Sequence, residues 1–178
     1  MPRSLAKVQK KLSKKKGKIS SLHENSRDAQ KLRRAGARGE KLERLAAARA
    51  KANQPHMQRV AYFQGAAKAA TGSIGVEKIH GLIQRYISRH DEEFAELKSQ
   101  RRPGRPASTR EDLLRQSMAA EEREYDSGFW IPDMQDEDNL AILRTWNGEW
   151  TALNTFKYVR LSRDGTVQIS NFPPKGLS

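Results

Sequence analysis

Positive charge in this chain is confined to one end, and that confinement decides what each part can fold into. Residues 1–60 hold 18 Lys+Arg against 4 Asp+Glu, and residues 61–178 hold 16 against 17. The net charge of +13 therefore comes from the first third. That third also contains no Phe, Trp or Tyr, the earliest aromatic being Tyr62. Like charges at this density repel one another unless an acidic partner or solvent offsets them. The chain reads as a basic arm, which requires a polyanion, joined to a nearly neutral body that folds on its aromatics.

Within the arm the densest run is Lys10-Lys11-Leu12-Ser13-Lys14-Lys15-Lys16-Gly17-Lys18. Residues 1–22 lack a sustained apolar period and are expected to stay extended or disordered until bound. Leu5, Val8 and Leu12 lie three to four apart, so a short helix could form there against a partner. A mitochondrial transit peptide fits poorly, because the charge is Lys in blocks rather than Arg spread round an amphipathic helix. A Lys-rich nuclear import signal suits residues 10–18 better. Residues 23–54 form the second part of the arm. Asn25 or Ser26 can cap a long helix there, with Leu32, Ala35, Leu42, Leu45 and Ala46 as a narrow apolar stripe and Gly36 and Gly39 weakening its middle.

Asn53-Gln54-Pro55 breaks the pattern and starts a new helix over 56–70, the beginning of a body spanning 55–160. A central helix is expected over 74–99, because Val76, Ile79, Ile83, Tyr86, Ile87, His90, Phe94 and Leu97 recur at three- and four-residue steps. The capping box Ser108-x-x-Glu111 opens a helix to about residue 125 with Leu113, Leu114, Met118 and Tyr125 inward. Phe129-Trp130-Ile131-Pro132 looks like an apolar plug on a loop, and a further helix follows over 138–147. Asp164-Gly165 between two β-prone runs predicts a C-terminal hairpin over 157–171, followed by a tail over 172–178. The fold class is mainly α: a small helical body with a C-terminal β-hairpin and an extended basic N-terminal arm containing a long helix.

Four segments occur in a fixed order: His23-x-x-Ser26-Arg27, Leu82-Ile83-Gln84-Arg85-Tyr86-Ile87-Ser88-Arg89, Gly128-Phe129-Trp130-Ile131-Pro132-Asp133, and Asn139-Leu140 with Leu143-Arg144-x-Trp146. In this order they resemble the translation machinery-associated protein 16 family. Glu24 departs from a Pro often found after that His. The resemblance implies a nuclear and nucleolar factor bound to precursors of the large ribosomal subunit, without catalytic activity. Its partners would be the rRNA of that precursor, ribosomal proteins and other assembly factors, with the chain as a monomer within the larger particle. Its mode of action is expected to be that of a placeholder or clamp.

The resemblance does not assign binding residues, so charge must do so. RNA contact is expected from Lys10, Lys11, Lys14, Lys15, Lys16 and Lys18 in the tail, and from Arg27, Lys31, Arg33, Arg34, Arg38, Lys41 and Arg44 on the helix. Arg101, Arg102 and Arg105 add a basic loop. Its Gly104-Arg105-Pro106 is similar to the core of a minor-groove DNA hook, which makes a chromatin-binding protein the rival reading. The acidic stretch over 121–138 reads as a solvated face or a binder of basic protein, with Phe129 and Trp130 as partner-facing anchors or core.

Catalysis finds no constellation. His23, His56, His80 and His90 lack metal-ligand spacing, and no cofactor or metal is expected. Glu92 and Glu93 are adjacent and point to different sides of a helix, and Gly36 to Lys41 lacks both the spacing and the Ser/Thr of a phosphate loop. Cysteine is absent, which removes disulfides and thiolate chemistry. No apolar run is long enough to cross a bilayer.

Overall fold

A computed structural model describes residues 4–16, 23–102 and 104–174, and the chain divides into two compact units, Met1–Pro55 and His56–Ser178. Among the described residues no helix is long and apolar enough to cross a membrane. Lys18, Pro103 and the end of the C-terminal tail lie outside the described residues.

The first unit departs from the expectation of an extended tail. Leu5–Lys16 is a helix, α1. A segment this short is marginal alone because nucleation is costly, but Val8 and Leu12 are buried with Ala35, and Leu5 and Leu32 pack against them. This apolar contact supplies what propensity lacks. The second helix, α2, runs Arg27–Ala69. Its start is built by the His23 to Arg27 segment: the His23 carbonyl accepts the Ser26 N–H at 3.0 Å, and His23 Nδ1 accepts the Asn25 N–H at 3.3 Å. Ser26 rather than Asn25 is the cap, its Oγ accepting the Ala29 N–H at 3.1 Å.

The break expected at Pro55 does not occur, since Pro55 lies inside α2. Proline removes one helical N–H donor, for the carbonyl four residues earlier. That carbonyl belongs to Lys51, and Lys51 and Pro55 are both exposed, so water can satisfy it. Leu42 and Leu45, expected on the apolar stripe, are 61% and 43% exposed.

The second unit is built from α2 beyond Pro55, α3 (Val76–Ile87), α4 (Asp91–Gln100), α5 (Thr109–Ser127) and α6 (Glu137–Thr145) around a small sheet. The single helix expected over 74–99 is two, separated by a 3-10 turn at Ser88–His90. Side chains there compete for backbone carbonyls: Ser88 Oγ donates to Gln84 O at 3.0 Å, and Arg89 Nη1 donates to Tyr86 O at 2.5 Å. Such local bonds weaken a regular helix. Consequently α4 buries no residue, and Phe94 and Leu97 are only half-buried. Ser108 caps α5 by accepting the Glu111 N–H at 3.1 Å. Leu113, expected inward, is exposed.

The C-terminal hairpin is present as β2 (Tyr158–Leu161) and β3 (Val167–Ser170), joined antiparallel. A third strand extends it. Residues Phe129–Pro132, expected as a loop plug, form β1 and pair antiparallel with β2 in the register Phe129 to Leu161 and Pro132 to Tyr158. Of the two readings of Phe129 and Trp130, partner-facing anchors or core, the structure has core: both are fully buried. The reason is that β1 is covered on both faces, and Trp130 stacks on Tyr158 with centroids 4.3 Å apart. Gly128 enters this strand at φ +127°, where a Cβ would sit 3.1 Å from Arg160 Cβ, so only glycine fits. Buried Asn139 joins α6 to the sheet: its Nδ2 donates to Asp133 O at 2.6 Å and Lys157 O at 3.0 Å, while its Oδ1 accepts the Lys157 N–H at 2.8 Å.

Candidate nucleic-acid interface

In the first unit, burial of Val8 and Leu12 with Leu5 packed beside them leaves the other sides of α1 to its described lysine side chains. Lys10, Lys11 and Lys14 are exposed, while Lys15 and Lys16 form the last turn of α1. On α2 the cations Arg27, Lys31, Arg33, Arg34, Arg38, Lys41 and Arg44 are all exposed. Four of them, Arg27, Lys31, Arg34 and Arg38, follow steps of four, three and four residues, which places them in one row. At 1.5 Å rise per residue the row is about 16 Å long. With Val8, Gln30 and Ala35 they line a groove of about 520 Å³ that contains no carboxylate.

Four cations and no carboxylate on its wall give that groove the chemistry of an anion site. Four guanidinium or ammonium groups in a row match a phosphate backbone, and guanidinium adds paired donors in a fixed fork. Exposed cations of this kind bring affinity through counterion release, about 0.7 to 0.9 in log K per log salt for each phosphate neutralised. The row brings together Arg27, Lys31, Arg34 and Arg38 from the expected set. It does not include Arg33, which is turned to the preceding loop: its Nη2 donates to Glu24 O at 2.6 Å, and Glu24 Oε1 lies 3.7 Å away. The acceptor for Arg33 is thus the backbone carbonyl of Glu24, which any residue at that position would supply. Sequence reasoning missed Gln30 as a lining residue, since nothing but its position between Arg27 and Arg34 marks it.

The basic loop of the second unit divides. Arg102 and Arg105 are exposed, whereas Arg101 Nη1 lies 3.2 Å from the buried Glu111 carboxylate. Arg101 is therefore held by the fold, and the free cations of the loop are Arg102 and Arg105.

Three further arginines of the second unit, Arg59, Arg89 and Arg144, are turned to internal work. Arg59 forms a two-pronged pair with Glu124, Nη1 to Oε1 at 2.7 Å and Nη2 to Oε2 at 2.8 Å, and Glu124 Oε1 also accepts the Trp130 N–H at 3.1 Å. Burial opposes the Arg59 charge, but hydrogen bonding to Glu124 more than offsets it and holds its pKa above the ordinary value. Arg59, counted in the basic third by sequence, is thus a core residue and not an RNA ligand. Arg89 pairs with Glu121 at 2.6 and 2.7 Å and stacks on Tyr86 with its guanidinium 3.8 Å from the ring centroid. Burial again opposes the charge, Glu121 outweighs it, and the pKa is raised. The Arg144 guanidinium covers the end of α2, donating to Ala67 O at 2.9 Å and Ala70 O at 2.8 Å.

The motif residues therefore hold the fold together: Ser26 as a cap, Arg89 and Arg144 as clamps, Trp130 as core and Asn139 as a joint. The sequence pattern of the translation machinery-associated protein 16 family matches residues 18–163. Translation machinery-associated protein 16 of Saccharomyces cerevisiae is 38% identical over 171 residues, spanning 92% of this chain and 93% of the yeast protein. Its namesake in Danio rerio is 28% identical, spanning 82% of this chain and 77% of its own length. The namesake in Mus musculus is 26% identical, spanning 82% and 68%. With a family pattern over most of its length and a relative aligned nearly end to end, the chain belongs to the translation machinery-associated protein 16 family.

Proposed function

We propose that this protein is a ribosome biogenesis factor that binds the large-subunit precursor through rRNA and acts as a placeholder or clamp during nuclear maturation. The observation that carries the reading is the acid-free row Arg27, Lys31, Arg34 and Arg38 beside α1. The name of the family, which attaches its members to the translation machinery, supports RNA as the polyanion. Exposed Arg102 and Arg105 extend the same chemistry in the second unit. The protein works by binding and not by catalysis, in the nucleus and nucleolus, with ribosomal proteins and other assembly factors as neighbours. Phosphate contacts position a protein without reading sequence, so placement on the precursor comes from the shape of the folded rRNA.

The test combines Arg27→Glu, Lys31→Glu, Arg34→Glu and Arg38→Glu in the full chain, with sedimentation of nuclear extract and crosslinked nucleic acid as readouts. The native chain is expected to sediment with large-subunit precursors in an RNase-sensitive manner and to crosslink their rRNA. The variant should keep its cooperative thermal transition and lose both. Recovery of DNA insensitive to RNase, or undiminished rRNA crosslinking by the variant, overturns the reading.

A further inference from the structure

In the second unit Arg59, Arg89, Arg110, Arg115, Lys157 and Arg163 each meet a carboxylate. Among the described residues Lys78 and Arg85 meet none, as holds also for Lys68, Lys98, Arg102, Arg105 and Arg123, but these two share a wall. Both line one groove of about 570 Å³, together with the last turn of α2 and the loop Thr71-Gly72-Ser73. No carboxylate lines it, and Glu77, the sequence neighbour of Lys78, is not part of the wall. Lys78 and Arg85 are seven residues apart on α3, two turns or about 10 Å. They therefore flank the groove along its length instead of converging on one point anion.

The rest of the groove suits the same ligand. Thr71 and Ser73 are exposed, and among the described residues their hydroxyls make no hydrogen bond and the N–H groups of residues 71–73 reach no backbone carbonyl. The rim thus offers hydroxyl and N–H donors that the described fold does not use. The C-terminal carbonyls of α2 would repel an anion, but the Arg144 guanidinium occupies those of Ala67 and Ala70. Short side chains at Ala66, Ala69 and Gly81 leave the floor open to a polymer backbone.

We propose that this groove is a second RNA-docking surface, which holds a phosphodiester strand across Lys78 and Arg85 with the Thr71-Gly72-Ser73 donors at its rim. The inference rests on the RNA-binding reading above and adds to it a contact in the unit whose net charge would not suggest one. Charge repeating along a strand matches two cations two turns apart, and donors without acceptors at the rim match phosphate and ribose oxygens.

The chain has no cysteine, so Ser73→Cys, Ser13→Cys and Ala95→Cys each place a single photoactivatable thiol label in the full chain. The three sites are the groove, the exposed side of α1 and the exposed side of α4. The probe is large-subunit rRNA transcribed in vitro. Labels at positions 73 and 13 are expected to crosslink RNA, with position 95 at background. Adding Lys78→Gln and Arg85→Gln should suppress crosslinking at position 73 several-fold, leave position 13 unchanged, and flatten the log K against log salt slope by about 1.4 to 1.8. Crosslinking at 13 with 73 at the level of 95 overturns the groove and leaves the RNA reading standing. No crosslinking at either overturns both. Crosslinking at 73 that ignores the double substitution overturns the role given to the two cations.

Discussion

The two units solve the problem of charge in opposite ways. The first buries Val8, Leu12 and Ala35, with Leu5 and Leu32 alongside, and leaves a row of cations facing a groove without acid. The second buries a cluster of 20 residues from Val60 to Leu161 and pairs several of its cations internally, as in the Arg59 and Glu124 pair with side chains 9% and 6% exposed. A segment that keeps its cations free for an external anion must do without the acids that would pair them, and so without internal electrostatic support. A segment with a large core can enclose a charge pair because the surrounding fold holds both partners in register. Removing an arginine of the exposed row should accordingly read out as lost binding in the first unit, and removing a buried, paired arginine as lost stability in the second.

The sharpest way to break that contrast is Arg59→Ala. The substitution leaves the Glu124 carboxylate buried beside the Trp130 N–H without its cation. Removing one member of a buried pair costs about 3 to 5 kcal/mol, and the lost guanidinium stacked 4.1 Å from the Phe129 ring adds to it. Denaturant unfolding should show a large drop in midpoint, while at a temperature where the variant is still folded its RNA salt slope should match the native chain. A flattened slope with unchanged stability would return Arg59 to the binding surface and erase the contrast.

Much of this architecture was legible in the sequence. The partition of charge and aromatics marks the two kinds of segment, the Ser-x-x-Glu box marks the start of α5, and Asp164-Gly165 marks the hairpin. What was not legible depends on distant contacts. A helix as short as α1 forms because Val8 and Leu12 meet Ala35, which no local pattern announces. Strand β1 is four residues of uniform apolarity, Phe-Trp-Ile-Pro, whose period cannot be read at that length, and only pairing with β2 makes it a strand. Arg59 looks like any helical cation until Glu124, 65 residues away, is brought beside it. The Pro55 break did not occur although proline both removes the bond to the Lys51 carbonyl and crowds it; exposure of both residues lets water satisfy that carbonyl. The cations of α2 were named from the sequence as a set, and helical spacing separates Arg27, Lys31, Arg34 and Arg38 from it as one row, whereas the turn of Arg33 toward Glu24 was not legible.

A smaller effect sharpens the comparison from the other side. Ser26 caps α2, and a Ser cap replaced by Ala costs about 1 kcal/mol. In the first unit that loss meets little core to resist it, so Ser26→Ala should raise amide hydrogen exchange in the opening turn of α2 and weaken RNA binding by loosening the Arg27 to Arg38 row. Exchange in β1 and β2 should be unchanged. Faster exchange in the sheet as well would show that the units do not respond separately.

The smallest effect separates the units by pH. His56 lies against Trp130 and Trp150, with centroids 5.7 and 6.2 Å away. Burial and then the Arg59 charge lower its pKa below the ordinary value, with Glu124 pulling the other way. A histidine that is harder to protonate when folded binds fewer protons in the native state than in the unfolded chain. Its contribution to stability is therefore complete above about pH 6.5 and declines as pH falls through the folded pKa, where the unfolded chain already holds the proton. His56→Gln removes that titration and keeps a polar side chain of similar reach. Between pH 7 and pH 5 the native chain should lose more of its unfolding midpoint than the variant, in a transition reported by Trp130 and Trp150 fluorescence. Equal losses in the two proteins would place the acid sensitivity among the carboxylate pairs of the second unit instead of at His56.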